Sequence, residues 1–285
     1  MLHEAIPRPR NLDRNKRIVP NFTFRHTLAT GAACLGMSLR LARTTDMPAI
    51  ARDAGYNWLF LDLEHGTMSF DTLSQMALAA IEAGICPLVR VPGHDAAPIN
   101  RALSNGAMGV IAPHVDTPEQ AAAIARASRF APIGERSVPG AFPALGYEPR
   151  TFDEAAAILN RETIVVVMIE SAEAIANADA IAAVDGIDCL FVGCSDLTFE
   201  LGIPAQYDHP CMIESLEAVA AAARKHGKAA GFGGVGDDTL AAKYLGLGLN
   251  LVLAGNDLAL VLRGARARAA ALTGSPARHT ISNFL

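Results

Sequence analysis

From residue 33 onward, short runs of bulky apolar residues alternate with longer Ala-rich stretches of helical spacing, and this rhythm limits what the chain can fold into. The strand candidates are ACLGMSL (33–39), WLFLDL (58–63), CPLVRV (86–91), GVIAPH (109–114), IVVVMIE (164–170), CLFVGC (189–194), AAGFGG (229–234) and LNLVLAG (249–255). Between them lie stretches such as FDTLSQMALAAIEAG, TPEQAAAIARASR and SAEAIANADAIAAV, several of which open on Asp, Ser or Thr and close on Gly, as helix caps require. Strands apolar on both faces, alternating one for one with helices, describe a parallel sheet covered by helices. Eight such units predict a single-domain α/β fold, a closed (β/α)8 TIM barrel. An open doubly wound sheet is the competitor, and the count favours the barrel.

The expected organisation is an N-terminal extension over 1–24, the barrel over 25–274 and a C-terminal tail over 275–285. The Pro- and Arg-containing extension reads as an arm or oligomer contact. A Gly/Pro-rich segment, APIGERSVPGAFPALGYEPRTF (131–152), is long for a connection, which suggests a lid.

Composition excludes several classes of function. Of the 285 residues, 51% are hydrophobic and 19% charged, enough apolar surface for one large core and too little charge for a disordered chain. A net charge of −5 gives no basic footprint for nucleic acid, so small molecules are the expected ligands. Apolar runs such as IVVVMI stop far short of the roughly 18 residues of a membrane span. The charged start MLHEAIPRPRNLDRNKR lacks the apolar centre of a secretory signal, so a cytoplasmic protein is expected. Five cysteines (Cys34, Cys86, Cys189, Cys194, Cys211) without metal-site spacing read as reduced and mostly buried thiols.

In a barrel of this kind chemistry sits at the C-terminal strand ends. Strand two ends in Asp62, Glu64 and His65, strand three in Arg90, strand four in His114 and strand five in Glu170, while Asp196 follows strand six. Singly, each has an ordinary reading: a loop histidine, a surface arginine, or a carboxylate favourable at the start of a helix. Five consecutive strand ends aimed at one mouth are harder to explain that way. Glu170 and Asp196 form a hard-oxygen pair suited to Mg²⁺ or Mn²⁺, an arrangement that leaves positions for water and substrate and supports Lewis-acid chemistry. The run GFGGVG (231–236) also fits a dinucleotide fingerprint, with Asp257 about 20 residues on. It falls in the seventh of eight units, where glycines more plausibly let backbone approach an anion or a neighbouring loop.

Several segments in order, LDLEHG (61–66), PLVRVPGHD (87–95), RALSNGAMGVIAPHVDTPEQA (101–121), RFAPIGERSV (129–138), IESAEAIANADAIAAVDGID (169–188) and LFVGCSDLTFELG (190–202), resemble the HpcH/HpaI aldolase family over about residues 33–272. The resemblance implies a class II pyruvate aldolase using a divalent metal ion (Mg²⁺, Mn²⁺ or Co²⁺), with Glu170 and Asp196 as metal ligands. It further implies His65 as the catalytic histidine, Asp62 as the carboxylate that orients it, Arg90 facing the substrate oxygen, and the segment around Cys194 and Ser195 holding the pyruvate carboxylate. The expected reaction is cleavage or formation of 4-hydroxy-2-oxo acids through a pyruvate enolate, with a 2-oxo acid and an aldehyde as partners. A homo-oligomer, with a hexamer favoured, is also implied.

The sequence departs from the family pattern at four places. Met168 stands where glutamine is frequent, Ser104 where a neighbouring subunit contributes an aspartate, Cys194 where proline is common, and LGMSLRL lacks a tryptophan often found there. Three alternatives stay open: a citrate-forming or related carbon–carbon lyase acting on oxaloacetate, a dinucleotide-binding oxidoreductase, and a barrel that binds ligand without turnover.

Overall fold

The computed structural model describes residues 22–274, so residues 1–21 of the proposed 1–24 arm and the tail over 275–285 lie outside the described residues. Eight strands, β1 (Cys34–Leu39), β2 (Trp58–Asp62), β3 (Cys86–Arg90), β4 (Gly109–Ala112), β5 (Ile164–Ile169), β6 (Cys189–Gly193), β7 (Ala229–Gly233) and β8 (Leu249–Asn256), pair in parallel with their chain neighbours. β8 then pairs with β1 and closes the barrel. Every expected strand forms, and the open-sheet alternative is excluded by this closure.

The period-2 alternation of the strands sorts their side chains into two layers. Leu59, Leu61, Val89, Val165, Val167, Ile169, Leu190 and Val192 face outward into the core shared with the helices. Trp58, Phe60, Cys86, Leu88, Ile164, Val166, Met168, Cys189 and Phe191 fill the interior. Trp58 stacks in the barrel floor, its indole N–H donating to Cys34 O at 3.0 Å. It fits because Gly36 stands beside it: a Cβ there would lie 2.1 Å from the indole ring. By the same parity, Asp62, Arg90 and Glu170 continue the inward rows at the mouth. Sequence alternation, rather than any local signal, thus brings charged groups to one end of an apolar shaft.

The helices carry the expected caps. α3 (Phe70–Ala83) starts at Ser69, whose side chain accepts from Thr72 N, and stops at Gly84 with φ 75°. α5 (Pro118–Ser128) has a Thr117/Gln120 capping box with Pro118 in its first turn. The stretch predicted as one helix over 171–184 is instead two, α7 (Ala172–Ala176) and α8 (Ala178–Ala182), broken at Asn177. The Asn177 amide donates to Asp116 O at 2.7 Å, tying the break to the loop after β4.

At the other end of the chain, α1 (Phe22–Ala29) crosses the expected boundary at 24/25. Phe24 and Leu28 are buried in the cluster that fills the floor. The long 131–152 segment is not a lid. It leaves the C-terminal end of α5, on the side of the barrel where β5 begins. Its Ala144 and Leu145 are buried in the floor cluster, and none of its residues lines the mouth. Cys34, Cys86, Cys189 and Cys194 are buried free thiols, and Cys211 is exposed. No helix among the described residues is long and apolar enough to cross a membrane.

Candidate active site

All seven residues singled out for the site, Asp62, His65, Arg90, Glu170, Cys194, Ser195 and Asp196, line a single cavity of about 260 Å³ at the barrel mouth. Its polar wall begins with the β2–β3 register, which sets Asp62 beside Arg90. Arg90 Nε and Nη2 donate to Asp62 Oδ1 and Oδ2 at 2.9 and 2.7 Å, a two-bond fork, and Nη1 lies 3.0 Å from Glu64 Oε2. The guanidinium also sits over the Phe60 ring, 5.1 Å from its centroid. Burial works against ionising Asp62, yet the Arg90 hydrogen bond and charge, with the amides of Glu64 and His65, hold its carboxyl below the usual range. Arg90 is correspondingly held above the ordinary arginine value by Asp62, Glu64 and Glu170, in spite of its own burial. The pair is therefore a fixed ionic strut.

Asp62 also holds the backbone of the loop that follows it. Its carboxylate is bonded to Arg90 and also accepts from the backbone amides of Glu64 and His65 at 3.1 and 3.3 Å, so it fixes the backbone of the loop that carries His65. The turn that permits this needs Gly66, since a Cβ there would lie 2.1 Å from Asp62 O. The His65 ring stands largely exposed at the rim, its Nε2 3.9 Å from Glu64 Oε2.

Glu170, one residue past β5, is the most unusual group in the cavity. It is 4% exposed, its Oε1 is buried with no hydrogen-bond partner, and its pKa is pushed up to about 7. Burial is the main cause. The Asp196 charge adds to it, while His114 and Arg90 oppose it. Oε2 accepts from the His114 amide at 2.9 Å and lies 3.2 Å from His114 Nδ1, so one oxygen is secured and the other is left over. The Oε1 side is shaped by Gly193, where a Cβ would fall 2.2 Å from Glu170 Oε1. Gly193→Ala is therefore expected to displace the carboxylate and weaken divalent-ion binding at least tenfold while leaving the barrel folded, as calorimetric Mn²⁺ titration beside circular dichroism will check.

Asp196 lies exposed in the first turn of α9 (Cys194–Glu200), on the next strand unit, near enough for its charge to act on Glu170. These two hard-oxygen donors fit a divalent cation, which would satisfy the buried, unpartnered Oε1 of Glu170. No group of three or more His, Cys, Asp or Glu among the described residues forms a full cage, so an ion here would keep positions for water or substrate.

Other residues of the site carried weaker signals in the sequence. Glu64 and His114 were visible as polar strand ends without a definite role. His114, at φ 51°, bridges the two carboxylates, with Nε2 3.3 Å from Glu64 Oε1. Ser38 and Arg40 at the end of β1 and Asn256 at the end of β8 also line the cavity and went unread. The glycines of GFGGVG have packing duties. A Cβ at Gly231 would lie 2.4 Å from Leu251 O, and one at Gly234 would lie 2.7 Å from Ser195 Oγ. A closed barrel also lacks the strand-order reversal at which dinucleotides bind.

Over residues 37–263 the sequence matches the family described as HpcH/HpaI aldolase/citrate lyase. The chain belongs to this family. It is an aldolase, a carbon–carbon lyase. Among its relatives, the 4-hydroxy-4-methyl-2-oxoglutarate aldolase of Chaetomium globosum is 39% identical over 209 residues, covering 73% of this chain and 78% of that protein. The 4-hydroxy-2-oxovalerate aldolase of Rhodococcus jostii is 37% identical over 257 residues, covering 88% and 96%. The HpcH/HpaI aldolase from Desulfitobacterium hafniense superposes with a TM-score of 0.83 at 28% identity, covering 90% of this chain and 98% of that one.

Proposed function

We propose that the chain cleaves and forms 4-hydroxy-2-oxo acids through a pyruvate enolate, with a divalent ion (Mg²⁺, Mn²⁺ or Co²⁺) held by Glu170 and Asp196. The relatives' substrates support the class: 4-hydroxy-4-methyl-2-oxoglutarate and 4-hydroxy-2-oxovalerate share the 4-hydroxy-2-oxo acid skeleton and differ beyond it. The observation that carries the metal reading is the buried, unpartnered Oε1 of Glu170. When bound, the ion supplies Lewis acidity to the oxygens of the 2-oxo acid.

The chain's own residues do the rest. The segment of Cys194 and Ser195 at the start of α9 receives the substrate carboxylate. Arg90, locked by Asp62, offers remaining N–H groups to the oxygen on which charge develops as the C3–C4 bond breaks. Because its orientation is fixed beforehand, little reorganisation opposes that step. His65, the accessible base at the rim, takes the proton of the 4-hydroxyl as the aldehyde leaves and returns a proton to C3, giving pyruvate. Phe60, Met168, Phe191 and Leu253 form the apolar base of the cavity and keep bulk water from the enolate.

The chain is also assigned to a homo-oligomer, with a hexamer favoured. This is supported by α12 (Asp257–Thr273), which exposes Val261 at 60%, Leu272 at 68%, and Leu258 and Leu262 near 40%, an apolar stripe suited to another copy.

The test of the reaction is proton exchange. With Mg²⁺, Mn²⁺ or Co²⁺ the protein is expected to exchange the methyl protons of pyruvate in D₂O, followed by NMR, and EDTA is expected to stop it. Exchange indifferent to metal would refute the mechanism.

A further inference from the structure

The wall of the cavity built by β1 and β8 contains a second set of polar groups that the reaction above does not use. Arg40 follows β1 and lines the cavity, and its guanidinium has no hydrogen-bond or carboxylate partner among the described residues. Its backbone is held firmly. The buried Asp257 carboxylate accepts from the amides of Arg40, Leu41 and Ala42 at 2.7–3.1 Å, as well as from Leu258 N at 2.9 Å. Ser38, paired in register with Asn256, is 6% exposed, and Asn256 is 5% exposed. The Asn256 oxygen caps α12 at Ala259 N, while its amide nitrogen and the Ser38 hydroxyl have no protein partner among the described residues. Three residues with donors that lack acceptors among the described residues therefore line one side of the cavity: a guanidinium, an amide and a hydroxyl. Small residues leave space in front of them, since both Ser38 and Gly255 line the same wall.

The charges in the cavity decide what this wall receives. Arg90 is neutralised by Asp62 and approached by Glu64, which leaves Arg40 as the uncompensated cation of the lining. β1 is the strand opposite β5 in the closed ring, so Arg40 and Glu170 stand on opposite sides of the mouth. A 2-oxo acid anchored beside Glu170 and Asp196 directs its far end across the mouth toward β1 and β8. That end is the half derived from the aldehyde or ketone acceptor.

We propose that Arg40, with Ser38 and Asn256, is a recognition site for a carboxylate on the acceptor half, so that the preferred substrates are 4-hydroxy-2-oxo acids bearing a second, distal carboxylate. This rests on the reading of the cavity as a 2-oxo acid site. The exposed guanidinium of Arg40, with the buried hydroxyl and amide of Ser38 and Asn256 on the same wall, matches a carboxylate in shape and charge, and a charge-assisted bond there discriminates against a substrate ending in methyl.

The experiment compares binding of 2-oxoglutarate and 2-oxopentanoate, which share the 2-oxo acid head and differ in the distal carboxylate, by calorimetry in the presence of Mn²⁺. Wild-type protein is expected to bind 2-oxoglutarate about tenfold or more tightly. In Arg40→Met the ratio is expected to collapse toward one, with circular dichroism confirming the fold. Equal affinities in wild type, or a preference that survives Arg40→Met, would overturn the assignment. Pyruvate proton exchange measured on the same wild-type preparation separates the two readings. Exchange without a carboxylate preference removes only the Arg40 site, whereas a preference without metal-dependent exchange removes the aldolase mechanism and leaves the Arg40 site standing.

Discussion

Glu170→Gln is expected to make the metal-free protein more stable above pH 7 while abolishing its response to metal and lowering turnover at least a thousandfold. The direction follows from proton linkage. Burial first, then the Asp196 charge, push the Glu170 carboxyl up to about 7 against the opposition of His114 and Arg90. Between the unfolded value near 4.5 and about 7, the folded chain holds a proton that the unfolded chain has released. The carboxyl thus costs nothing at low pH, and its penalty grows as pH rises through that window. Glutamine is neutral throughout and retains an oxygen for the His114 amide. The gain at pH 8 is on the order of 1–3 kcal/mol, and for a domain of this size that amounts to several degrees in melting temperature. Thermal melts in EDTA should show the variant above wild type at pH 8 and level with it near pH 4.5. With excess Mn²⁺, wild type alone should rise, by the mass-action stabilisation of a bound ligand. A variant less stable than wild type at pH 8 would mean that the buried Glu170 carboxylate does not destabilise the metal-free fold.

Arg90→Lys has the other large effect. Arg90 makes two parallel bonds to Asp62, approaches Glu64 with a third nitrogen, and has N–H groups left for substrate. An ammonium has three donors and no fixed plane, so it cannot brace Asp62 and Glu64 and still present a directed donor to the enolate oxygen. Loss of one preorganised donor costs roughly 10²–10³ in kcat. Mn²⁺ affinity should change little, because the proposed ligands stand just past β5 and in the first turn of α9. Truncation to Ala is a different experiment: it strands Asp62, 2% exposed, without its counter-charge, a loss of about 3–5 kcal/mol in stability. Full activity in Arg90→Lys, measured by steady-state kinetics, would remove Arg90 from the chemistry.

The barrel was legible because its signal is redundant: eight apolar runs and capped helices between them lead to one closed topology. The polar ends of β2, β3 and β5 and the carboxylate after β6 were legible for the same reason, since hydrophilic residues that end buried strands are conspicuous. What escaped was the wall made by β1 and β8. Arg40 opens a loop where a charge is unremarkable, and Ser38 and Asn256 acquire meaning only when closure sets the first strand beside the last. Asp62 was legible as a polar strand end, but its pairing with Arg90 was not, because that neighbour is set by strand register and not by sequence. The 131–152 segment illustrates the converse: its length suggested a lid, yet a segment's length does not say on which face of a barrel it lies.

The proposed reaction depends on one divalent ion gripped by a carboxylate from each of two neighbouring units. Electron paramagnetic resonance during Mn²⁺ titration tests it most directly, with wild type, Glu170→Gln and Asp196→Asn side by side. One tight site per chain is expected in wild type, and its loss in both variants. Tight binding that survives either substitution would contradict it.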